Sequence, residues 1–191
     1  RQKIWQGLRD GGLMEDANPN AAHYALVELE KLGKLISLVT QNIDNLHQKA
    51  GSSPALIREL HGNMQMLVCL NCRERYPISI VKERYAHSED PPSCEYCRGI
   101  LKPDVVFFGE ALPQQILAQA MREAEECDVM IVIGSSLVVY PAAYVPIQAR
   151  RAGAKLVIIN RGETEQDAMA DVRIDDAAGV TMTKIIERIK G

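Results

Sequence analysis

The hydrophobic residues of this chain follow two different spacings. Between residues 18 and 33 they recur every three or four positions, after Asn18-Pro19 as a start signal and before Gly33 as a stop signal, which predicts a helix. Short, nearly continuous apolar runs predict strands at 35–39, 128–133, 155–159 and 171–174. Amphipathic stretches predict helices at 112–126, 142–151 and 177–190. This alternation predicts an α/β fold with a doubly wound, Rossmann-like parallel sheet.

Composition and charge exclude several classes of protein. The chain has 191 residues, of which 47% are hydrophobic, so it can bury a core. Its net charge is −3 and no long basic run occurs, which argues against direct binding of nucleic acid. The longest wholly apolar run, Val129–Ile133, is too short to span a bilayer, and no signal peptide is visible. We therefore expect a cytoplasmic protein that binds neither membranes nor, directly, nucleic acid.

Four of the five cysteines form two Cys-x-x-Cys pairs, separated by 21 residues. Each pair is typical of a tight knuckle that presents two thiolates, and four thiolates complete a tetrahedral Zn²⁺ site. Two disulfides or a redox pair are the alternatives, which the spacing and the lack of a secretion signal disfavour. A closed four-thiolate site leaves no position for water, so the metal is expected to be structural. The predicted ligands are Cys69, Cys72, Cys94 and Cys97, and Cys127 is expected to be a buried free thiol.

The cysteine region interrupts the α/β pattern and predicts a second, smaller lobe. Residues 64–102 are expected to form a zinc-ribbon module inserted into a Rossmann-like lobe made of 1–63 and 103–191. Residues 1–16 predict a further helix, and the helical region spanning 1–33 is expected to pack with the small lobe.

Polar side chains follow directly after the predicted strand 35–39. Residues 41–44 read Gln-Asn-Ile-Asp, and a second short apolar segment ends further on in His61-Gly62. Ligands bind at the carboxyl edge of the strands in open α/β sheets, and a His at that edge is a candidate acid–base group. Asn and Asp in such places are also common turn and helix-cap residues, and a lone His is often structural.

The same residues carry a resemblance to a known family. It rests on Thr40–Asp44, Leu46-His47-Gln48, Ala50-Gly51 and Glu59-Leu60-His61-Gly62. These stretches resemble the signature of the sirtuins, the NAD-dependent protein deacylases, and the resemblance to the short prokaryotic type continues in order through nearly the whole chain. It implies that NAD is cleaved at the nicotinamide–ribose bond and that the acyl oxygen is captured at ribose C1′. The implied products are nicotinamide, free lysine and O-acyl-ADP-ribose, and the implied metal is a structural zinc.

The resemblance implies roles for individual residues. Asn42 and Asp44, with Ile43 packed near them, would hold nicotinamide, and Gln41 would hold the ribose hydroxyls. His61 would be the catalytic base that takes a proton from a ribose hydroxyl. Further cofactor contacts are expected after the later strands and near the start of the last helix, at Gly134, Ser135, Ser136, Asn160, Arg161, Gly162 and Ala177.

The segment Lys102–Glu110 has strand character. By composition alone it is a core strand, with Val105 and Phe107 buried. The resemblance implies instead that its edge binds the acyl-lysine peptide of protein substrates by strand addition. Substrate contacts are then expected at Val105, Val106, Phe107, Phe108, Gly109 and Glu110, and on an opposite wall at Val138, Val139 and Tyr140.

One departure from the family pattern changes the expectation for this chain. A sirtuin begins with a strand and a Gly-Ala-Gly-x-Ser loop that cradles the pyrophosphate, and no such motif occurs in residues 1–191. We therefore expect a truncated or partly observed sirtuin that binds NAD weakly and cannot turn it over by itself. The alternative, if Arg1 is the true start, is a non-catalytic zinc-bearing binding module.

Overall fold

The computed structural model describes residues 5–7, 17–88 and 90–191. In chain order its elements are α1 (Ala21–Lys31), β1 (Leu38–Thr40), α2 (Leu46–Ala50), β2 (Ile57–Glu59), β3 (Gly62–Cys69), β4 (Arg75–Pro77), α3 (Ile78–Arg84), β5 (Leu101–Val105), α4 (Gln114–Glu126), β6 (Val129–Ile133), α5 (Tyr144–Ala152), β7 (Lys155–Ile159), a 3₁₀ helix (Asp167–Met169), β8 (Val172–Ile174) and α6 (Ala178–Lys190). Among these helices, none has the length and apolar character needed to cross a membrane.

The chain packs into two compact units. The first contains the described residues of Arg1–Ala17 together with Asn42–Asn45 and His61–Glu110. The second contains Asn18–Gln41, Leu46–Leu60 and Ala111–Gly191. Packing thus groups more residues with the cysteines than the predicted module 64–102, and the predicted lobe boundaries stay a prediction.

The first unit is built on a three-stranded antiparallel sheet in the order β4-β3-β5. Among the described residues, its core contains Trp5, Leu67, Cys69, Ile78, Val81, Cys94 and Leu101, seven in all. Two of the seven are predicted metal ligands, so the metal site and the hydrophobic core of this unit are one structure. The helix predicted at 1–16 lies outside the described residues except for 5–7, which are helical.

Gly62, the first residue of β3, occupies a position where no side chain fits. Its φ is +79°, and a Cβ built on it would lie 1.9 Å from the carbonyl oxygen of Asp104. Because Gly62 pairs with Val105 in the sheet, this close approach occurs where β3 and β5 meet. The Gly of the His61-Gly62 pair is therefore required by both backbone conformation and space.

The second unit contains parallel sheets, as the sequence predicted. Strand β1 pairs with β2, and β7 lies between β6 and β8, all in parallel. Apolar clusters cover the three-stranded sheet. One packs α1 and α6 against it through Ala22, Ala25, Leu29, Ile159, Met182 and Ile186. Another packs the loop before α5 against it through Val132, Leu137, Ala143, Leu156 and Ile158. The α/β class with parallel strands and helical layers is thus confirmed.

Several predicted boundaries differ from those observed. Strand β1 begins at Leu38 and not at residue 35, because its pairing with β2 starts there. Pro113 is the N-cap of α4, which delays the helix start to Gln114. Helix α5 starts at Tyr144, so that Pro146 falls in its first turn, where a missing N–H breaks no helical bond. Strand β6 is not covered along its whole length, since Val129 is 50% exposed.

A buried charge network joins β2, α4 and the residue before β1. Arg58 is 8% exposed, and its guanidinium donates to both carboxylate oxygens of Glu123, at 2.9 Å from Nε to Oε2 and 2.5 Å from Nη2 to Oε1. Ser37 Oγ donates to Glu123 Oε2 at 2.6 Å, and Gln119 donates to Oε1 at 2.9 Å. One carboxylate on α4 therefore bonds both to a residue of β2 and to the residue directly before β1.

We expect Gly62→Ala to lower the free energy of unfolding by at least about 3 kcal/mol, because it combines a strained backbone conformation with overlap against Asp104. Gly109→Ala is the matched control in the same unit. Gly109 also has a positive φ, +86°, but a Cβ there would meet no atom within 4 Å. Urea unfolding measures both variants, and equal losses would contradict the steric argument.

We expect Glu123→Gln to lower the free energy of unfolding by about 3 kcal/mol at neutral pH, because it leaves the Arg58 charge buried without its counter-charge. Burial alone would raise the pKa of Glu123, but hydrogen bonds from Arg58 and Ser37 outweigh it and hold this pKa below its usual range. A depressed carboxyl pKa stabilises the fold above the unfolded-state value, and this contribution is lost as the pH falls through the folded-state value. The difference between wild type and variant should therefore shrink below about pH 4.

Chemical denaturation between pH 7 and pH 3 tests this dependence, with Glu28→Gln as the control. Glu28 pairs with Lys31 and Lys190 at the surface, where ion pairs contribute little, so its substitution should change stability much less. A pH-independent effect of Glu123→Gln would show that the carboxylate charge does not stabilise the fold.

Candidate active site and metal centre

Four cysteine side chains of the first unit converge on one point. The Sγ atoms of Cys69, Cys72, Cys94 and Cys97 all lie within 4.8 Å of one another. The Sγ–Sγ distance is 3.5 Å for Cys69–Cys97 and 3.5 Å for Cys72–Cys94. A disulfide requires about 2.05 Å, whereas four thiolates about 2.3 Å from one zinc ion stand about 3.8 Å apart. The geometry therefore fits a tetrahedral zinc site and not two disulfides.

Two neighbours of the cluster, Tyr76 and Gly99, fit the same interpretation. The Tyr76 hydroxyl lies 3.2 Å from Cys94 Sγ, and its hydrogen bond lowers the pKa of Cys94 to about 6, favouring the thiolate that binds metal. A Cβ on Gly99 would lie 2.9 Å from Cys69 Sγ and 3.1 Å from Cys97 Sγ. Neither residue was predicted from the sequence, although a Gly two positions after the last cysteine of the pairs was a visible signal.

Cys127, the fifth cysteine, is free but only half-buried, and its thiol donates to the Ala124 carbonyl at 3.3 Å. Burial raises the pKa of this thiol. The prediction of a free thiol thus agrees with the structure, while the prediction of full burial was wrong.

The predicted nicotinamide segment is bonded to the start of β3 within the first unit. The Met64 N–H donates to the Ile43 carbonyl at 3.1 Å, and the Asn63 side chain donates to Asn45 Oδ1 at 3.2 Å. Asn45 has φ +62°, a conformation that Asn tolerates better than most residues. These bonds hold Asn42, Ile43 and Asp44 against the strand that His61 introduces.

His61 lies between the predicted nicotinamide segment and the predicted substrate segment. It is half-buried, it precedes β3 directly, and its carbonyl accepts from the Val106 N–H at 2.9 Å. The structure therefore brings three predicted site segments together in one unit: 42–44, His61 and the start of 105–110.

The predicted substrate strand is shorter than the sequence indicated. Strand β5 ends at Val105, and Phe107 to Glu110 form a tight turn in which the Glu110 N–H donates to the Phe107 carbonyl at 2.9 Å. The turn is possible because Gly109, with φ +86°, reverses the chain direction. Val105 is buried, as the core interpretation required, but Phe107 is 39% exposed and Phe108 is fully exposed. Exposed aromatic rings next to a strand end are available to a ligand.

In the second unit, the carboxyl ends of β6, β7 and β8 carry the remaining predicted nucleotide residues. The Gly134 N–H donates to the Ile159 carbonyl at 2.9 Å, its φ is +63°, and a Cβ there would meet no atom within 4 Å. Ser135 Oγ accepts from the Leu137 N–H at 3.2 Å. Ser136 accepts at its carbonyl from the Glu165 N–H at 3.1 Å. A polar turn with open space beside its glycine fits close approach by a nucleotide.

The remaining predicted contacts lie in the same unit. Asn160 follows β7, and its N–H donates to the Ile174 carbonyl at 3.1 Å. Ala177 is the N-cap residue of α6. The predicted peptide wall at Val138, Val139 and Tyr140 is 53%, 45% and 48% exposed, so these side chains are accessible to a partner.

Comparison with known proteins gives a consistent result. The Sir2 family model matches residues 1–141. The chain belongs to the Sir2 family. It is 49% identical to NAD-dependent protein deacylase 2 of Archaeoglobus fulgidus over 91% of this chain and 68% of that protein. It is 47% identical to NAD-dependent protein deacetylase 1 of Pyrobaculum aerophilum over 92% of this chain and 68% of that protein.

Solved sirtuin structures share the fold. A structure of Sir2 bound to acetylated peptide matches with a TM-score of 0.89 and 38% identity, covering 99% of this chain and 79% of that one. A Sir2–p53 peptide–NAD⁺ structure matches with a TM-score of 0.88 and 38% identity, covering 99% of this chain and 78% of that one. The sirtuin resemblance expected from the sequence is thus confirmed.

We expect one zinc ion per chain in this sirtuin, measured by elemental analysis of the purified protein. Cys72→Ala should lose the metal, because three thiolates cannot close the tetrahedral site. Cys127→Ala is the matched control and should keep it, since Cys127 lies outside the cluster. Chelation should unfold the first unit, because structural zinc contributes folding free energy. A protein without zinc would contradict the assignment. So would a mass lower than that of the reduced chain by the four thiol hydrogens lost in forming two disulfides.

Proposed function

We propose that this sirtuin removes acyl groups from lysine side chains of proteins in an NAD-dependent reaction. One water is consumed and the products are nicotinamide, deacylated lysine and O-acyl-ADP-ribose, so the reaction combines hydrolysis of the amide with transfer of the acyl group to ADP-ribose. The observation that carries the proposal is the meeting of residues 42–44, His61 and the segment 105–110 in one unit. The names of the relatives and the acetylated and propionylated peptides in the solved structures support acyl-lysine proteins as substrates.

The residues of the first unit have separate tasks in this reaction. NAD supplies the activated nicotinamide–ribose bond. Asn42 and Asp44 hold nicotinamide by their polar side chains, and Ile43 gives an apolar contact beside them. His61 takes a proton from a ribose hydroxyl, for which an imidazole in a half-buried position is suited. The bond from Val106 to the His61 carbonyl keeps this base next to the segment that receives the peptide.

We also assign residues of the second unit to nucleotide binding. Gln41 follows β1 and binds the ribose hydroxyls on the nicotinamide side. The residues that bind the other half are Gly134, Ser135, Ser136, Asn160, Arg161, Gly162 and Ala177. Their support is the shared edge of β6, β7 and β8 and the open space beside Gly134.

Peptide binding uses exposed apolar residues and backbone groups. We assign the acyl-lysine contacts to Val105, Val106, Phe107, Phe108, Gly109 and Glu110, and further peptide contacts to Val138, Val139 and Tyr140. The exposure of both phenylalanines and of the 138–140 segment supports this assignment. The four cysteines hold zinc as a structural ion, and no catalytic step passes through it.

We propose a cytoplasmic location, with no direct binding of nucleic acid or membranes. The support is a net charge of −3 without a long basic run, together with paired free cysteines, which suit a reducing compartment.

We expect the full-length protein to convert an acetyl-lysine peptide only when NAD is present, as measured by mass spectrometry of peptide and O-acetyl-ADP-ribose. His61→Ala should lower the rate by about 10²–10⁴-fold, because the general base is lost. His87→Ala is the matched control, since His87 is an exposed His of the same unit. Full turnover by His61→Ala, or a loss as large in His87→Ala, would exclude His61 as the base.

The same assay, with labelled nicotinamide added, tests the nicotinamide segment. Asn42→Ala and Asp44→Ala should slow nicotinamide exchange together with deacylation, because both residues act at the first bond cleavage. Exchange at the wild-type rate would show that these side chains do not hold nicotinamide.

A further inference from the structure

The turn after β7 is held by its own Asn160 and by side chains that lie further along the chain. Asn160 Nδ2 donates to the carbonyls of Arg161 and Gly162, at 3.1 Å each. The Gly162 N–H donates to Asp175 Oδ1 at 3.2 Å, and Gly162 has φ +79°. The proposed function places the adenosine half of NAD at this turn.

Arg173, in the middle of β8, binds the turn from the neighbouring strand. Its guanidinium donates to the Gly162 carbonyl, to the Ile174 carbonyl at 2.6 Å, and to Asp167 Oδ1 at 2.9 Å. Its side chain is only 23% exposed. Three bonds in three directions use the planar fork of an Arg, which a Lys cannot reproduce.

Asp167 is in turn fixed to the residues that follow the turn. Its carboxylate accepts from the Thr164 hydroxyl at 2.6 Å and from the Thr164 N–H at 3.1 Å. These bonds, with the charge of Arg173, hold the pKa of Asp167 below its usual range. The carboxylate therefore stays charged at neutral pH and keeps Arg173 in place.

The network determines which atom of Asn160 meets a ligand. Both described bonds of its amide use the nitrogen Nδ2 to shape the turn. Oδ1 is the amide atom that the turn does not use, and it can only accept a hydrogen bond. A ribose hydroxyl is a donor that matches this acceptor.

We propose that Arg173 is a positioning residue for nucleotide binding: together with Asp167 it fixes the 160–162 turn so that Asn160 presents Oδ1 to a ribose hydroxyl of NAD. This inference rests on the proposed function, because it assigns the turn to that nucleotide. Arg173 contacts the turn and not the reacting atoms, so it acts through Asn160.

A second ion pair on the same strands offers a matched control. Asp171 lies next to β8 at its amino end, where its carboxylate accepts from the Leu156 N–H at 2.9 Å and from Lys155 Nζ at 3.1 Å. Loss of the Asp171 carboxylate should weaken the pairing of β7 with β8, as loss of Arg173 should, but at the end of the strands opposite to the turn. Asp171→Asn therefore separates general stability from nucleotide binding.

The experiment measures ADP-ribose binding by calorimetry in the full-length protein, with melting temperature and the KM values for NAD and for acetyl-lysine peptide. ADP-ribose is the probe because it occupies the nucleotide site without reacting. Arg173→Met should weaken ADP-ribose binding and raise the KM for NAD by about 5- to 10-fold, the loss of roughly one well-placed hydrogen bond, with the peptide KM unchanged. Arg173→Lys should restore part of the affinity. Asp171→Asn should lower the melting temperature but keep wild-type ADP-ribose affinity.

Wild-type affinity in Arg173→Met would overturn the inference, and so would an equal loss in Asp171→Asn. Complete rescue by Lys would also overturn it, since a single ammonium cannot make the three bonds. A wild-type protein that binds no ADP-ribose would overturn the proposed function itself, and this inference with it. If the wild type binds ADP-ribose and Arg173→Met binds it equally well, only the role of Arg173 is overturned.

Discussion

The absence of a side chain at Gly62 is the constraint on which the first unit depends. The Asp104 carbonyl oxygen occupies the space that a Cβ would need, so the first residue of β3 can pair with Val105 of β5 only if it has no side chain. This contact lies between the bond that ties His61 to Val106 and the bond that ties Ile43 to Met64. A larger residue at 62 would push β5 away and separate the three segments to which we assign the chemistry. The glycine is thus a structural requirement for keeping these segments together.

A metal ion bound by the four cysteines would compensate for the small core of the first unit. The three strands have 8, 3 and 5 residues and bury few apolar side chains, and a core of this size contributes little stability by itself. Cys69 and Cys94 are fully buried members of that core. A bound zinc ion would join four points of the chain at the centre of the core and so supply free energy that apolar burial does not. Bound there, the ion would stabilise the sheet that carries the segments to which we assign the chemistry.

The sequence predicted those features that depend on local pattern. Strand β7 was predicted with its observed bounds, and the ligand set at Cys69 to Cys97 follows from spacing. Errors arose where tertiary contacts decide. The segment 102–110 has the composition of one strand, but Gly109 allows a turn that ends it at Val105. The exposure of Phe107 likewise depends on that turn. The hydrophobic pattern indicates whether a segment is a helix or a strand, whereas the ends of the element depend on its tertiary contacts.

Long-range polar pairs could not be predicted from the sequence, for a different reason. Glu123 is one of several acidic residues on an amphipathic helix, and only the fold shows that Arg58 and Ser37 reach it. The chain passes from the second unit to the first after Gln41, one residue beyond β1, and after Leu60, which follows β2. The Thr40 carbonyl accepts from the Leu60 N–H at 3.0 Å, so both exits leave from one hydrogen-bonded pair of strands. Glu123 bonds to this pair from α4, so a charged residue far away in sequence helps to fix the two strands. Polar burial of this kind is costly unless every partner is present, which is why we expect it where position matters most.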